Sequence, residues 1–523
     1  MNRSIPALGL CFLSLGLACT SSSTSNDPPP APGFSISVNP GSLALQRGTS
    51  GSIPITVAAK NGFAGQVTFS LVGQPAGAEA TFLPATPSAA GSVQISTAWS
   101  TAAGTYPVTI KGTSPGLPDA TASIALQVTE PAPVALVWTP IEQYHQSVWL
   151  AFQDGDGPWT VMNGGDGSWP LTVREGRGGV AWASTPITGG TTPMLHVVYG
   201  SAAELAAQGA ATGEGFTAVR GVLKSYPPAG SNQTVSIGTG SSSIISSSNA
   251  NYWQVEGVRR SPYLDFLATL PLATPVAVFR PAITLPQWPA PLAPELDFDG
   301  AEAFPLQVQS ISVGGDLSNV QQGSLSCYLA TPGLTRGLVW SKGTTGTPAA
   351  FPVSFFAFPA SKIPAGGLQK LVASATSGGS AGATRTAAIY FAAPGDKGLQ
   401  LPAMPVWPTF EMLSGAAYAR PKFTGAFQDP YGQLFEGTVM QETPNGQQYH
   451  YLKLSRAYLA GGKSIQVALP DFTGLQGWNP AWGPKPGTRA NWTVQFSGGS
   501  GAPIPAAGDT AYSAFVSGFL QPQ

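Results

Sequence analysis

The stretch from Gln146 to Ser184 constrains the fold most strongly, because apolar residues alternate with polar or small ones through four short runs. A period of two is the spacing of a strand with one buried face, and Gly, Asp or Asn separates each run from the next. Leu150 and Trp149 therefore point to opposite faces of the predicted sheet. Three dipeptides provide the backbone freedom of tight turns: Asp154-Gly155, Asp156-Gly157 and Asp166-Gly167. The stretch predicts a β-meander within residues 134–200.

The same rhythm fills most of the 523 residues, which include 64 Gly and 50 Pro but only 9% charged side chains. An average soluble domain has roughly 25% charged residues. We interpret the Gly and Pro as turn residues between many short strands. Aromatic residues, 10% of the chain, supply large side chains for the cores. The composition predicts an all-β protein, in which an N-terminal sandwich precedes tandem β-sandwich or meander domains with one short helix.

The charge of the chain argues against nucleic acid as a partner. The formal net charge is −1, and the sequence contains no block of like charges. Proteins bind nucleic acid largely through many Lys and Arg contacts to phosphates. A chain with this charge distribution has no visible source for that attraction.

Residues 1–19, MNRSIPALGLCFLSLGLAC, combine Arg3 near the start with an apolar run and small residues before Cys19. The run is too short to span a bilayer permanently and has the build of a secretory signal. Leu17-Ala18-Cys19 resembles the lipobox of bacterial lipoprotein signal peptides, with Gly16 in place of the usual Leu. The resemblance implies cleavage and lipidation at Cys19.

Residues 20–33, TSSSTSNDPPPAPG, support this interpretation because a Ser/Thr tract runs into a Pro tract. Such a composition is typical of a tether that is first flexible and then stiff. We therefore expect a lipid-anchored protein of the cell envelope, exposed to the periplasm or the exterior. Plain secretion and a retained N-terminal anchor are the alternatives.

Residues 34–129 contain a series of strand-like runs separated by turn residues, the rhythm of a single β-sandwich. Three short motifs resemble the Ig-like modules of bacterial surface and secreted proteins: Ser37-Val38-Asn39-Pro40, Asn61-Gly62-Phe63-Ala64-Gly65 and Ala103-Gly104-Thr105-Tyr106. The resemblance implies an Ig-like β-sandwich. Such modules serve as spacers, adhesins and enzyme appendages, so the fold does not specify a function.

A short helix is predicted at residues 201–209, after the meander. Ser201 and Glu204 have the spacing of a capping box, the alanines between them favour helix, and Gly209 can end it. We expect a small connector that packs on the meander.

Two further β-rich units are predicted. The order of Gly221, a strand at Tyr252, Gly257 and a strand after Tyr263 resembles the carboxypeptidase-regulatory or transthyretin-like β-sandwich, over about residues 216–286. Residues 295–523 contain more alternating runs than one sandwich needs. They predict either two small domains or one large two-sheet body.

Asp154, Asp156 and Asp166 are the candidate metal ligands, since Asp-x-Asp-Gly begins many calcium loops. An EF-type loop also needs a bidentate Glu at its end, and position 165 is Gly. We therefore interpret these residues first as turn residues, with Ca²⁺ as the alternative. No other cofactor is expected.

The sequence contains no recognisable catalytic set. His145, His196 and His450 are far apart, and none has the acidic neighbour of an HExxH motif. Residues 378–382 match G-x-S-x-G but lie in a Gly/Ser-rich loop rather than at a strand-to-helix elbow. Cys327, the one cysteine after Cys19, is interpreted as a buried small hydrophobe. A secreted hydrolase of unrecognised type is retained as an alternative, and a cleft gathering His and carboxylates would identify it.

A Gly/Pro-rich loop with two tryptophans is the best candidate for ligand contact. The indoles of Trp478 and Trp482 could stack on a sugar ring, with Asp471 bonding its hydroxyls. In the competing interpretation, which we favour, both indoles pack over the end of a sheet and bury a large area.

Together these observations predict a surface-anchored bacterial lipoprotein with a binding or envelope-structural role. The first alternative is a carbohydrate-binding surface protein. The expected partners are the membrane, through the lipid on Cys19, and either a polysaccharide or another surface protein.

The anchoring hypothesis is tested by Cys19→Ala. Without the thiol no lipid can be attached, so the variant should appear in the soluble fraction while the wild-type protein stays with membranes. Fractionation followed by immunoblotting measures the difference. Equal release of the two proteins would contradict lipidation at Cys19.

Overall fold

Strands dominate the computed structural model of the chain, which confirms an all-β fold with one short helix. The structure describes residues 30–85, 90–140, 145–164, 167–186, 192–209, 216–224, 232–245, 252–259, 261, 263–284, 295–345, 351–378, 382–415, 417–500 and 505–520. Cys19, the predicted signal at 1–19 and most of the tether at 20–33 lie outside these residues.

The N-terminal module is a β-sandwich. Its strands are β1 (Gly33–Val38), β2 (Ser42–Gln46), β3 (Ser50–Lys60), β4 (Thr68–Val72), β5 (Ala78–Leu83), β6 (Ala90–Thr97), β7 (Gly104–Thr113) and β8 (Ala120–Thr129). They form two four-stranded sheets, ordered β1-β3-β6-β5 and β2-β8-β7-β4. Ile53, Ile55 and Val57 of β3 enter the core while the residues between them are exposed. The alternation in the sequence thus builds one side of a sandwich core.

Trp99 of this module lies against Gly176, which follows the Pro-containing residues 130–133 in the chain. A Cβ atom at Gly48 or Gly176 would lie 2.4 or 2.5 Å from the indole, so only glycine permits this approach. The guanidinium of Arg47 adds an ion pair to Glu175 at 2.7 Å. The sandwich is therefore docked on the rest of the chain as well as linked to it.

The predicted meander consists of six strands with a different connectivity. They are β9 (Val134–Trp138), β10 (His145–Asp154), β11 (Thr160–Val161), β12 (Trp169–Val173), β13 (Arg177–Pro186) and β14 (Met194–Ser201). β10 pairs with β11 and β13, and β13 pairs with β14, whereas β12 pairs with β9 in a separate sheet. The prediction of a simple meander is therefore wrong.

The physical reason is the apolar face of β12. Its Trp169, Leu171 and Val173 pack in one core with Leu150 and other outward residues of the neighbouring sheet, so β12 covers that face instead of extending the sheet. The predicted alternation itself holds, because Leu150 belongs to this core and Trp149 to the core on the opposite face.

The α-helix α1 (Ala202–Gly209) begins at the predicted capping box. The amide of Glu204 donates to the Ser201 hydroxyl at 3.3 Å, and the Ser201 amide donates to the Glu204 carboxylate at 2.8 Å. Leu205 is fully buried in the same core as β12. Local sequence and tertiary packing agree at this helix.

The next unit contains β15 (Phe216–Val222), β16 (Asn232–Ile237), β17 (Gly240–Ile245), β18 (Tyr252–Arg259), β19 (Leu264–Leu270), β20 (Val276–Ile283) and β21 (Phe304–Pro305). Two sheets, β15-β18 and β17-β16-β19-β20-β21, enclose a core with Trp253, Phe266 and Phe298. The sandwich thus continues past residue 286, the end that the sequence suggested.

The remaining elements are β22 (Gln307–Gly315), β23 (Val320–Thr331), β24 (Leu334–Thr345), β25 (Ser354–Ala357), the 3-10 turn η1 (Ala360–Lys362), β26 (Leu368–Ser377), β27 (Thr384–Phe391), β28 (Lys397–Leu401), β29 (Thr409–Leu413), β30 (Arg420–Ala426), β31 (Leu434–Thr443), β32 (Gly446–Ser455), β33 (Ser464–Ala468), the 3-10 turn η2 (Pro480–Trp482), β34 (Ala490–Gly499) and β35 (Thr510–Leu520).

A twelve-stranded central sheet organises the body, in the order β11-β10-β13-β14-β32-β31-β34-β35-β27-β26-β23-β24. β14 and β32 pair in parallel, from Met194 opposite Tyr449 to Tyr199 opposite Leu454. All other pairs in this sheet are antiparallel. The sheet therefore crosses the predicted division between residues 134–200 and 295–523.

The two faces of the central sheet have different coverings. Two three-stranded sheets, β29-β30-β33 and β25-β22-β28, pack on the inner face. On the outer face, β9, β12 and α1 cover β10, β13 and β14. The outward side chains of β31, β34 and β35 are half-exposed or exposed. Among the described residues, no helix has the length and apolarity needed to cross a bilayer.

Candidate functional site

The loop with Trp478 and Trp482 lies over the inner face of the central sheet. The Trp478 ring is 5.0 Å from that of Trp149 and 4.9 Å from that of Phe472, and the Trp482 ring is 6.1 Å from that of Trp149. Both indoles are half-buried against the core. Other rings contact their faces, and this packing suits a core plug better than an open sugar platform.

Three buried polar side chains of the inner face hold this loop. Gln441 donates to the Lys485 carbonyl at 3.1 Å and accepts the Lys485 amide at 2.7 Å. Gln448 donates to the Trp482 carbonyl at 3.0 Å, and His450 Nε2 lies 3.1 Å from the same oxygen. Because buried polar groups require partners, the sheet holds the loop and the loop satisfies the polar groups of the sheet.

Asp471, the third predicted residue of this loop, is exposed. It accepts the amide of Thr473 at 3.0 Å. Hydrogen bonds from Thr473 hold the pKa of the Asp471 carboxyl below its ordinary value. The carboxylate thus caps a local turn.

The candidate calcium ligands have protein partners. Asp154 accepts the amides of Arg174 at 2.9 Å and Glu175 at 3.0 Å, and Asp156 forms an ion pair with Arg177. The third candidate, Asp166, lies outside the described residues. In the part of the chain that the structure describes, no three His, Cys, Asp or Glu side chains group as metal ligands.

The described residues that were considered for catalysis do not form a cluster. His196 and His450 lie on adjacent strands but face opposite sides of the sheet, since Leu195 is the partner of His450. Cys327 is fully buried, and burial raises the pKa of its thiol well above the ordinary value. Of residues 378–382, positions 379–381 lie outside the described residues.

A second group of aromatic side chains lies on the outer face, and the sequence did not reveal it as a site. Trp182, His196 and Tyr451 are cross-strand partners on β13, β14 and β32. Their rings stack with centroids 4.5 Å apart and interplanar angles of 2° and 13°. Because the stack runs from strand to strand, the far face of the Tyr451 ring is directed over Thr438, its partner on β31. The stack forms an upright wall.

Small hydroxyl residues continue this row beyond the wall. Thr438, Thr493 and Ser517 are cross-strand partners on β31, β34 and β35, and the last two hydroxyls are 3.0 Å apart. Phe515 and Phe519 flank Ser517 on the same face of β35 and are 38% and 58% exposed. We name this feature the trough; it comprises Tyr451, Thr438, Thr493, Ser517, Phe515 and Phe519.

The six side chains of the trough are uncharged, and the guanidinium of Arg489 lies over the Phe519 ring, 4.8 Å from its centroid. Two other adjacent charged residues, Lys453 and Glu436, form an ion pair with each other at 2.5 Å. The trough therefore offers aromatic surface and hydroxyl groups, with one cation at its Phe519 end. Such a surface can stack on the apolar face of a ligand ring and exchange hydrogen bonds with its hydroxyls.

Sequence reasoning missed the trough because its strands are far apart in the chain. Tyr451, Thr438 and Thr493 lie within the predicted β-rich region 295–523, but nothing local showed the order of its strands in a sheet. The available signal was the period-two placement of Tyr449 and Tyr451 on the polar side of β32.

Comparisons with known proteins add no family assignment. No family model matches the chain, and no curated protein matches it. A Bacillus anthracis TIE protein is 9% identical, with 73% of this chain and 76% of that chain covered and a TM-score of 0.18. An I-band fragment of titin is 10% identical, with 51% of this chain and 99% of the fragment covered and a TM-score of 0.14. Neither similarity carries an argument about function.

The plug interpretation predicts that Trp478→Ala destabilises the protein by about 2–4 kcal/mol, because a large, half-buried ring is removed from an aromatic cluster. Urea unfolding monitored by circular dichroism measures the change. Val406→Ala is the control, since Val406 is 76% exposed and its truncation should change the free energy of unfolding by less than about 0.5 kcal/mol. If Trp478→Ala unfolds with the same free energy as the wild-type protein, the interpretation of the loop as a core plug is contradicted.

The burial of His450 predicts that the free energy of unfolding decreases at acidic pH. Burial lowers its pKa from 6.5 to about 4, so the neutral ring is favoured in the folded state. The stabilisation by the neutral ring is fully present above pH 6.5. It is lost as pH falls toward 4, which lowers the free energy of unfolding by about 3 kcal/mol. Urea unfolding at pH 7, 5.5 and 4 measures the slope, which His450→Gln should reduce. An unchanged slope in the variant would assign the acid sensitivity to other groups.

Proposed function

We propose that this protein is a lipid-anchored protein of the cell envelope that binds a neutral polysaccharide chain in the trough. The observation that carries the proposal is the exposure of Phe515 and Phe519 beside a floor of hydroxyl groups. Anchoring at Cys19 and an Ig-like module at 34–129 acting as a spacer would place the trough away from the membrane, toward the periplasm or the exterior.

The chemistry of a sugar chain suits these side chains. One face of a pyranose ring presents C–H groups, which pack on an aromatic ring, while its rim presents hydroxyls. Thr438, Thr493 and Ser517 can each donate and accept a hydrogen bond. The trough side chains carry no charge, and one guanidinium, that of Arg489, lies against Phe519. Ring stacking and hydroxyl contacts therefore dominate over charge along the row, which favours a neutral polysaccharide.

A protein partner suits the trough less well. Stable protein interfaces have a contiguous, largely apolar centre. Here Ser517 separates the two exposed Phe side chains along β35, and Thr and Ser side chains lie beside them. Repeated small contacts with successive sugars fit this pattern better than one large apolar contact.

The proposal predicts that Phe519→Ser and Tyr451→Ser each weaken retention on insoluble neutral polysaccharide about tenfold, equivalent to about 1.4 kcal/mol per lost ring contact. Retention of the soluble chain from residue 20, with Cys19 absent, is measured on cellulose, chitin and insoluble β-glucan. Melting temperature is recorded for each variant, so that loss of fold is distinguished from loss of binding.

Tyr263→Ser is the matched control, because Tyr263 is 71% exposed and lies outside the trough. It should be retained like the wild-type protein. The proposal fails if the wild-type protein is retained on none of the three polysaccharides, or if both trough variants are retained as strongly as the control.

A further inference from the structure

Two cations alternate with two tyrosines across four neighbouring strands of the central sheet. Tyr328, Lys370 and Tyr390 are cross-strand partners on β23, β26 and β27. On β24, the guanidinium of Arg336 lies over the Tyr328 ring, with Cζ 4.1 Å from the centroid, and Nη2 donates to the Tyr328 hydroxyl at 2.7 Å. Lys370 Nζ is 5.1 Å from the centroid of the Tyr390 ring. We name these four residues the cation-tyrosine row.

The side chains of the row lie on the outer face of the sheet. Their strand neighbours Cys327, Leu371 and Phe391 are buried in the core on the inner face. Successive side chains of a strand point to opposite faces, so the row points away from that core. Arg336 is exposed, and the other three side chains are half-buried.

The two positive charges of the row are not compensated. In the described part of the chain, neither Arg336 nor Lys370 has an acidic partner. The backbone carbonyl of Asp509 accepts the Tyr390 amide at 2.9 Å, but the Asp509 carboxylate accepts the Ala506 amide at 2.7 Å. The cations stand two strand spacings apart, about 9–10 Å. Together they make this part of the face electropositive.

We propose that the cation-tyrosine row binds an acidic polysaccharide through the carboxylates of its uronic acid residues. A carboxylate accepts two parallel hydrogen bonds from a guanidinium and a charge-assisted hydrogen bond from an ammonium group. The tyrosine rings beside the cations offer a surface on which the C–H face of a sugar ring packs. A chain with repeated carboxylates reaches both cations at once.

Other anionic polymers suit the row less well. Nucleic acid binding depends on many phosphate contacts, whereas the row supplies two cations. An acidic peptide offers carboxylates but no rigid sugar face for Tyr328 and Tyr390. The alternation of charge and ring therefore favours a charged sugar chain.

This ligand goes beyond the one proposed for the trough, and the two sites are apart. Phe515 of the trough is the cross-strand partner of Thr384, which lies six residues before Tyr390 on β27. Six residues of strand span about 20 Å. Variants of one site therefore leave the other intact.

The test is affinity electrophoresis of the full chain, in neutral detergent at low ionic strength, with polygalacturonate in the gel. The wild-type protein should be retarded. Arg336→Gln and Lys370→Gln should each weaken binding about tenfold, the effect of losing one charge-assisted contact. Lys60→Gln is the matched control, since it removes the same charge from an exposed lysine of the N-terminal sandwich and should bind like the wild-type protein.

Two further polymers separate the charge from the sugar. Carboxyl-reduced polygalacturonate keeps the sugar rings without the charge, and polyglutamate keeps the carboxylates without the rings. Each should bind about tenfold more weakly than polygalacturonate. Tyr390→Ser leaves the charge unchanged and should weaken polygalacturonate binding about threefold through the lost ring contact. Phe519→Ser, a trough variant, should bind polygalacturonate like the wild-type protein.

Melting temperatures show that each variant is folded. The inference is overturned if polygalacturonate does not retard the wild-type protein, or if either of the other two polymers binds as tightly. It is also overturned if Arg336→Gln, Lys370→Gln and Tyr390→Ser bind like Lys60→Gln. A loss of binding in Phe519→Ser would assign the acidic polysaccharide to the trough and contradict the row.

Discussion

The parallel pairing of β14 with β32 is the contact on which the rest of the body depends. It joins two segments that are far apart in the chain into one sheet, and Ser455 donates to the carboxylate of Glu204 at 2.6 Å near the end of this pair. The inner core then combines Trp149 and Ala181 from one segment with Leu452 from the other. Neither segment could bury this face alone, so the two halves stabilise each other.

The two faces of this sheet use aromatic side chains differently. On the inner face, Trp149 and Trp478 contact other rings, and buried Gln448 and His450 hold the loop that carries them. On the outer face, the upright stack that ends at Tyr451 is followed by short hydroxyl side chains. Packing on one face supplies stability, while the step in height on the other forms the trough.

Local features of the sequence predicted the local structure well. The alternation at Leu150 and Trp149 and the capping box from Ser201 to Glu204 each correspond to the observed element. Pairing was predicted poorly, because alternation defines the faces of a strand but not its neighbour. β12 illustrates the difference, since it has a strand pattern within the meander but crosses to pair with β9. The Trp478 loop was identified from its residues, whereas the trough was not.

The sequence by itself determined the fold class, the turn positions, the helix and the presence of aromatic side chains on both faces of the strands. Only the tertiary structure decided which strands became neighbours. The wall at Tyr451 and the floor at Thr438 meet on consecutive strands, but Thr493 and Ser517 come from strands placed beside them by long-range pairing. Side-chain period is a property of the local backbone, whereas strand order depends on the free energy of burying apolar surface between distant segments.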